Sequence, residues 1–205
     1  MKKVVIIDYG MCNLDSVARA IEECGGIPLV TDKKSDLELA THIILPGVGA
    51  FPDAMNEILQ RSLDKSLKEQ VLKKKIPFLG ICLGMQLMAT KGWEGEETKG
   101  LCLIEGEVIR FEPDSPDTRI PHVGWNEVNY TQKNPLFQDI PSGKDFYCVH
   151  SYHFCCKNED DIIARTPYCG GFVSAISRGH IFGAQFHPEK SQKLGFKVLR
   201  NFLSM

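Results

Sequence analysis

The sequence predicts an α/β fold: one domain over residues 1–205, with a mainly parallel central sheet and helices on both of its faces. Two observations carry that prediction. "VVIID" (4–8), "THIILPG" (41–47) and "IPFLGI" (76–81) are Val/Ile/Leu runs without polar alternation, as strands buried on both faces read. Helix-like segments separate them, the order expected of parallel strands joined by crossover helices. A chain of 205 residues is also long enough to bury such a core.

Taken in order, "VVIID" is the first strand. From Leu14, apolar residues recur at Val17, Ala18 and Ile21, one face of a helix that Gly25-Gly26 would terminate. "IPLVT" (27–31) reads as a second strand and "THIILPG" as a third. A helix opened by proline follows from about Pro52, and another runs through "LDKSLKEQVLKK" (63–74). "IPFLGI" is the fourth strand, and "LGMQLMAT" (83–90) a helix after Cys82. The second half changes character. "EGEVIRF", "WNEVNY", "FYCVHSY", "IIARTPY", "FVSAISRG" and "IFGAQF" are strand-like runs set apart by Pro, Gly and Asn-Pro signals. "KLGFKVLRNFLSM" closes the chain as a helix with Leu194, Val198 and Phe202 on one side, and "FEPDSPDTR" (111–119) reads as an exposed, mobile loop.

Composition narrows the function. At 43% hydrophobic, 24% charged and a formal net charge of -2, nothing favours nucleic acid or an anionic membrane as partner. No apolar run approaches the roughly 20 residues that span a bilayer. "MKKVVIIDYG" has an apolar stretch too short for a secretory signal, so a cytoplasmic protein is expected. The eight cysteines include no C-x-x-C pair, and the six histidines show no zinc-ligand spacing relative to them. Most of the thiols are expected to be small buried apolar groups.

In sheets of this kind ligands gather at the carboxyl ends of strands, where "YGMCN", "PGVGAF" and "GICLG" all fall. The G-x-C-x-G around Cys82 has the form of a nucleophile elbow, with glycines where the chains cross and helix N–H groups facing the thiol. A nucleophilic thiol needs a base held by a third group. "GAQFHPEKS" offers His187, a stiffening Pro188 and Glu189. The glycine-rich "LPGVGAF" (45–51) can present oxyanion N–H donors, with Leu83 as one donor and Val48 or Gly49 as another. Each pattern also has a plainer reading: a small residue in a tight turn, a proline turn ending a strand, a glycine loop. Their placement on one rim favours the chemical one.

"LPGVGAF", "GICLGMQ" and "QFHPEKSQ" together resemble class I glutamine amidotransferases, and "DYGMCNLDSV", "PHVGWNEV" and "FYCVHSYHF" narrow the resemblance to the glutaminase subunits of imidazole glycerol phosphate synthases. The match runs over nearly the whole chain. It implies the three-layer, flavodoxin-like fold of class I glutamine amidotransferases and hydrolysis of glutamine through a cysteinyl thioester. In that scheme Cys82 is the nucleophile, His187 moves the protons and Glu189 orients it. Val48 and Leu83 supply the oxyanion N–H groups, after the peptide of the "PGVG" loop has reoriented. Gly49, Gln86, Glu94 and Ser151 hold the glutamine. Asn13, Trp125, Tyr147 and Lys190 face a (βα)8-barrel cyclase subunit that receives the ammonia in a heterodimer. No metal or organic cofactor is implied.

One position departs from the family's pattern. Y-G-x-G-N is usual there, whereas "YGMCN" puts Cys12 in place of glycine, which would strain or alter the loop if the position needs positive φ. That departure keeps open a paralogous amidotransferase serving a cyclase-like partner in surface-sugar biosynthesis; separate readings are a binding or regulatory subunit with a dead site, against which Cys82, His187 and Glu189 argue, and a stand-alone Cys hydrolase of DJ-1-like type. The latter commonly places His directly after the nucleophile, where this chain has Leu83.

Overall fold

The computed structural model describes residues 2–205. The chain opens with β1 (Lys3–Ile7), α1 (Leu14–Glu23) and β2 (Ile27–Thr31), then a one-turn helix α2 (Lys34–Leu37) that periodicity did not signal. β3 (His42–Leu45), α3 (Phe51–Gln60) and α4 (Leu63–Lys68) follow, with α4 relaxing into a π-helical turn over Glu69–Lys73. β4 (Phe78–Ile81) leads into α5 (Leu83–Gln86). Two short strands, β5 (Lys91–Gly92) and β6 (Thr98–Lys99), precede β7 (Gly106–Arg110) and β8 (His122–Val128). The remainder is β9 (Lys144–His150), β10 (Tyr152–Cys156), β11 (Ile162–Thr166), β12 (Phe172–Arg178), β13 (Ile181–Ala184) and α6 (Gln192–Leu203).

Among the described residues, eleven strands form one sheet in the order β2-β1-β3-β4-β13-β12-β10-β7-β5-β6, with β11 added against β12. The five strands from β2 to β13 are mutually parallel, and β13–β12, β12–β10 and β10–β7 are antiparallel. Side-chain alternation divides the core between the two faces. Val5, Ile7, Ile43, Leu45 and Phe78 join the α3–α4 side, while Val4, Ile6, Ile44, Leu79 and Ile81 join the α1–α6 side. Both faces are therefore covered, as a parallel sheet requires.

Two expectations need correction. "FYCVHSY" is not one strand. It breaks at Ser151, so that β9 pairs with β8 in a separate two-stranded ribbon while β10 enters the main sheet. The helix after Cys82 is a single turn rather than eight residues. Its continuation is cut off because N–H groups of 101–103 take the carbonyls of Leu87, Ala89 and Met88 at 2.8, 3.0 and 2.9 Å. The apolar run that looked helical is buried core instead, with Leu87, Met88 and Ala89 all inaccessible. The 111–119 segment is exposed from Glu112 to Asp117, with Asp114 accepting from the Gly170 N–H at 3.0 Å.

Candidate active site

Cys82 sits on the turn between β4 and α5 with φ 53° and ψ −112°, a conformation that non-glycine residues avoid. The turn is possible because its flanks are glycines. A Cβ on Gly84 would lie 1.7 Å from the Leu45 carbonyl oxygen, and one on Gly80 would lie 2.6 Å from the Gly84 carbonyl oxygen. The Cys82 N–H donates to the Ala184 carbonyl at 2.7 Å, fastening the elbow to β13. The thiol is 6% exposed; it donates to the Val149 carbonyl at 3.8 Å and accepts from Gln185 Nε2 at 3.7 Å. With a one-turn helix behind it, the local N–H groups matter here and the macrodipole contributes little.

His187 reaches the same rim because β13, which it follows, lies parallel to and beside β4. The His187 Nδ1–H donates to Glu189 Oε1 at 2.7 Å, with both side chains almost fully buried. Its Nε2 is buried and has no hydrogen-bond partner among the described residues. Burial by itself would push the His187 pKa down, but the neighbouring Cys82 sulfur and the Glu189 carboxylate together raise it to about 10. The protonated imidazole is thus favoured while Cys82 carries the thiolate.

A cavity of about 300 Å³ opens beside Cys82. Its walls include Val48, Gly49, Leu83, Gln86, Glu94 and Ser151, the six oxyanion and glutamine positions of the resemblance. Gln86 is buried rather than on an exposed helix face. Its Nε2 donates to the Tyr152 carbonyl at 2.9 Å and to Gln185 Oε1 at 3.0 Å. Glu94 Oε2 accepts the Phe51 N–H at 2.8 Å, at the start of α3. Ser151 lies at the break between β9 and β10 and lines the cavity. The Leu83 N–H belongs to the first residue of α5, a position without an intrahelical acceptor. The Val48 N–H, by contrast, points away and donates to the Met11 carbonyl at 2.9 Å.

Trp125 and Tyr147 are register partners across the β8–β9 ribbon with ring centroids 6.1 Å apart, and Lys190 Nζ lies 5.9 Å from the Tyr147 ring. Trp125 is 48% exposed and Val123 57%, so the outward face of this ribbon presents apolar side chains to solvent. Asn13 is exposed at the start of α1, and α1 packs against the Pro188–Lys190 turn. Cys12 takes no positive φ; the left-handed residue of that loop is Gly10, at +90°. The expected strain is therefore absent. The Cys12 thiol instead donates to the Pro46 carbonyl at 3.5 Å, and burial pushes its pKa up to about 11.

Sequence reasoning missed Gln185, Met11, Tyr152 and a buried trio, His122, Cys148 and His150, whose ligand-type atoms lie within 4.8 Å of one another. Linear spacing did not betray the trio because pairing of β8 with β9 assembles it. The alternation of "FYCVHSY" already puts Cys148 and His150 on one face.

The chain belongs to the class-I glutamine amidotransferase family, whose model matches residues 5–205. Fold comparison agrees: a crystal structure of a glutamine amidotransferase aligns with TM-score 0.74 at 18% identity, covering 98% of this chain and 97% of that one. The structure of PurLQS from Thermotoga maritima aligns at 0.73 and 19% identity, covering 100% and 99%. Among individual proteins, the chain is 46% identical over 202 residues to the imidazole glycerol phosphate synthase subunit HisH 1 of Campylobacter jejuni, covering 98% of this chain and 100% of that one. It is 44% identical to subunit HisH of Moorella thermoacetica, covering 98% and 94%.

Proposed function

We propose that the chain is the glutaminase subunit of an imidazole glycerol phosphate synthase in histidine biosynthesis. It would work in the cytoplasm and hand ammonia to a (βα)8-barrel cyclase subunit. The observation that carries the reading is the meeting of a strained Cys82, the buried His187–Glu189 pair and a cavity of about 300 Å³. The names of the relatives support the pathway.

Cys82 attacks the side-chain amide carbon of glutamine as thiolate, and the resulting oxyanion is met by the Leu83 and Val48 N–H groups. Protonated His187 delivers its Nε2 proton to the amine, which departs as ammonia and leaves a γ-glutamyl thioester. Neutral His187 then takes a proton from water, hydroxide adds to the thioester, and glutamate leaves as the Cys82–carbon bond breaks. Glu189 holds the Nδ1 proton throughout. The Val48–Met11 hydrogen bond supports a resting form in which one oxyanion donor is turned away. Removing one such donor lowers turnover by about 10²–10³-fold, so the chain alone is expected to be slow until the partner releases the loop.

The test is alkylation by a glutamine analogue carrying a diazoketone. Selective, glutamine-protected labelling of Cys82 is expected; scattered labelling over several of the cysteines would refute the reading.

A further inference from the structure

Both nitrogens of His122 and of His150 are engaged, and the pattern has only one self-consistent protonation. The Tyr152 carbonyl can only accept, so His150 Nδ1, 2.8 Å away, carries the proton. Burial holds His150 neutral, with its pKa down to about 3, so its Nε2 is bare and accepts from His122 Nδ1 at 3.2 Å. His122 is kept neutral in the same way, at about 4; its own Nε2 therefore accepts from Asn126 Nδ2 at 3.2 Å. The far end agrees independently. Asn126 Oδ1 accepts the Glu127 N–H at 2.9 Å, which fixes that amide with its NH2 toward the histidine.

The near end reaches the reaction centre. The Tyr152 carbonyl also accepts Gln86 Nε2 at 2.9 Å, which uses both of its lone pairs. Gln86 continues to Gln185 and Gln185 to the Cys82 sulfur, at 3.0 and 3.7 Å. The rings cannot swing freely, because Tyr168 stacks on His122 at 4.0 Å and Phe111 and Phe172 close around His150 at 5.1 and 5.0 Å. A cation held by His122, Cys148 and His150 would have to displace the proton between the imidazoles, so the two histidines are better described as links of a hydrogen-bond chain from Asn126 to the Tyr152 carbonyl.

We propose that Asn126, His122 and His150 are positioning residues for glutamine, a relay that fixes the Tyr152 carbonyl and through it aims the Gln86 carboxamide into the cavity. The proposal rests on the glutaminase reading for its ligand. With both Nε2 protons of Gln86 committed, its Oε1 is the atom left for the substrate, and its aim is set by a carbonyl that the relay anchors. The relay begins at Asn126, the residue after exposed Trp125, and runs from there to the wall of the cavity at His150 and Tyr152.

Labelling of the full chain by the diazoketone analogue separates binding from reaction through its saturation curve. His122→Leu, which removes both bonds, is expected to raise the half-saturating concentration about tenfold while the maximal labelling rate stays within about threefold. His122→Asn keeps a donor toward His150 and is expected to recover most of that loss. Unchanged half-saturation, a fall confined to the maximal rate, or an Asn variant no better than Leu would overturn the proposal. Absence of labelling in the unmutated chain would instead overturn the glutaminase reading. Imidazole nitrogen shifts of that same chain judge the relay without a variant: both rings protonated at Nδ1 are expected, and an Nε2–H tautomer in either would refute it.

Discussion

At the scale of single residues, Cys82 and His187 act as one electrostatic unit. The imidazole is buried, which opposes its charge, yet its pKa is raised because the sulfur and Glu189 stabilise the protonated form. Cys82→Ala removes the first of those stabilising neighbours. The His187 titration is then expected to move down from about 10, and an unchanged value by NMR titration would separate the two residues. The sign for stability follows from linkage: a raised histidine pKa contributes fully below the ordinary value of 6.5 and is lost as pH rises toward about 10. The loss of stability between those limits should therefore be shallower in Cys82→Ala, as measured by urea unfolding across pH. The same variant is expected to lose glutamate release by several orders of magnitude while remaining folded. Residue types at these positions were legible in the sequence, because a thiol between glycines and an H-P-E turn have few other uses together. The relay was not. Asn126, His122 and His150 become neighbours only through a strand pairing that no local pattern announces.

At the scale of elements, the elbow and the glycine loop set the geometry. Gly84→Ala would drive a methyl into the Leu45 carbonyl, which lies 1.7 Å from its Cβ position and belongs to rigid β3. A loss of at least about 3 kcal/mol is expected, read from the urea midpoint, whereas near-neutral behaviour would mean that the elbow has room to spare. The loop after β1 behaves differently. Cys12 takes no positive φ and hydrogen-bonds to Pro46, so restoring a glycine relieves nothing. Cys12→Gly is expected to lower stability by about 0.5–1 kcal/mol, through greater freedom of the unfolded chain and loss of the thiol contact. A rise in stability would revive the strain argument. Element types were legible wherever one face was buried by periodicity, as in α1 and α6. The one-turn α5 and the break at Ser151 were not, because in both places distant backbone groups decide which hydrogen bonds form.

At the scale of the molecule, the parallel half of the sheet brings the ends of β1, β3, β4 and β13 to one rim, which is why residues as far apart as Met11 and His187 share it. That much followed from the apolar strand runs. The antiparallel half and the detached β8–β9 ribbon emerged only from long-range pairing. The ribbon's exposed Trp125, beside Tyr147 and Lys190, is the surface we propose for docking of a cyclase subunit. Trp125→Ala is accordingly expected to weaken stimulation by that subunit at least tenfold in the concentration required, as a truncated interface anchor does. The most direct test is glutamate release by the chain alone and with the histidine-pathway cyclase subunit of the same organism in its ligand-bound form. The account predicts slow release alone and stimulation by about 10²-fold or more in the complex, as Val48 turns its N–H inward. No glutamate in either condition, with Cys82 unlabelled by the glutamine analogue, would contradict it.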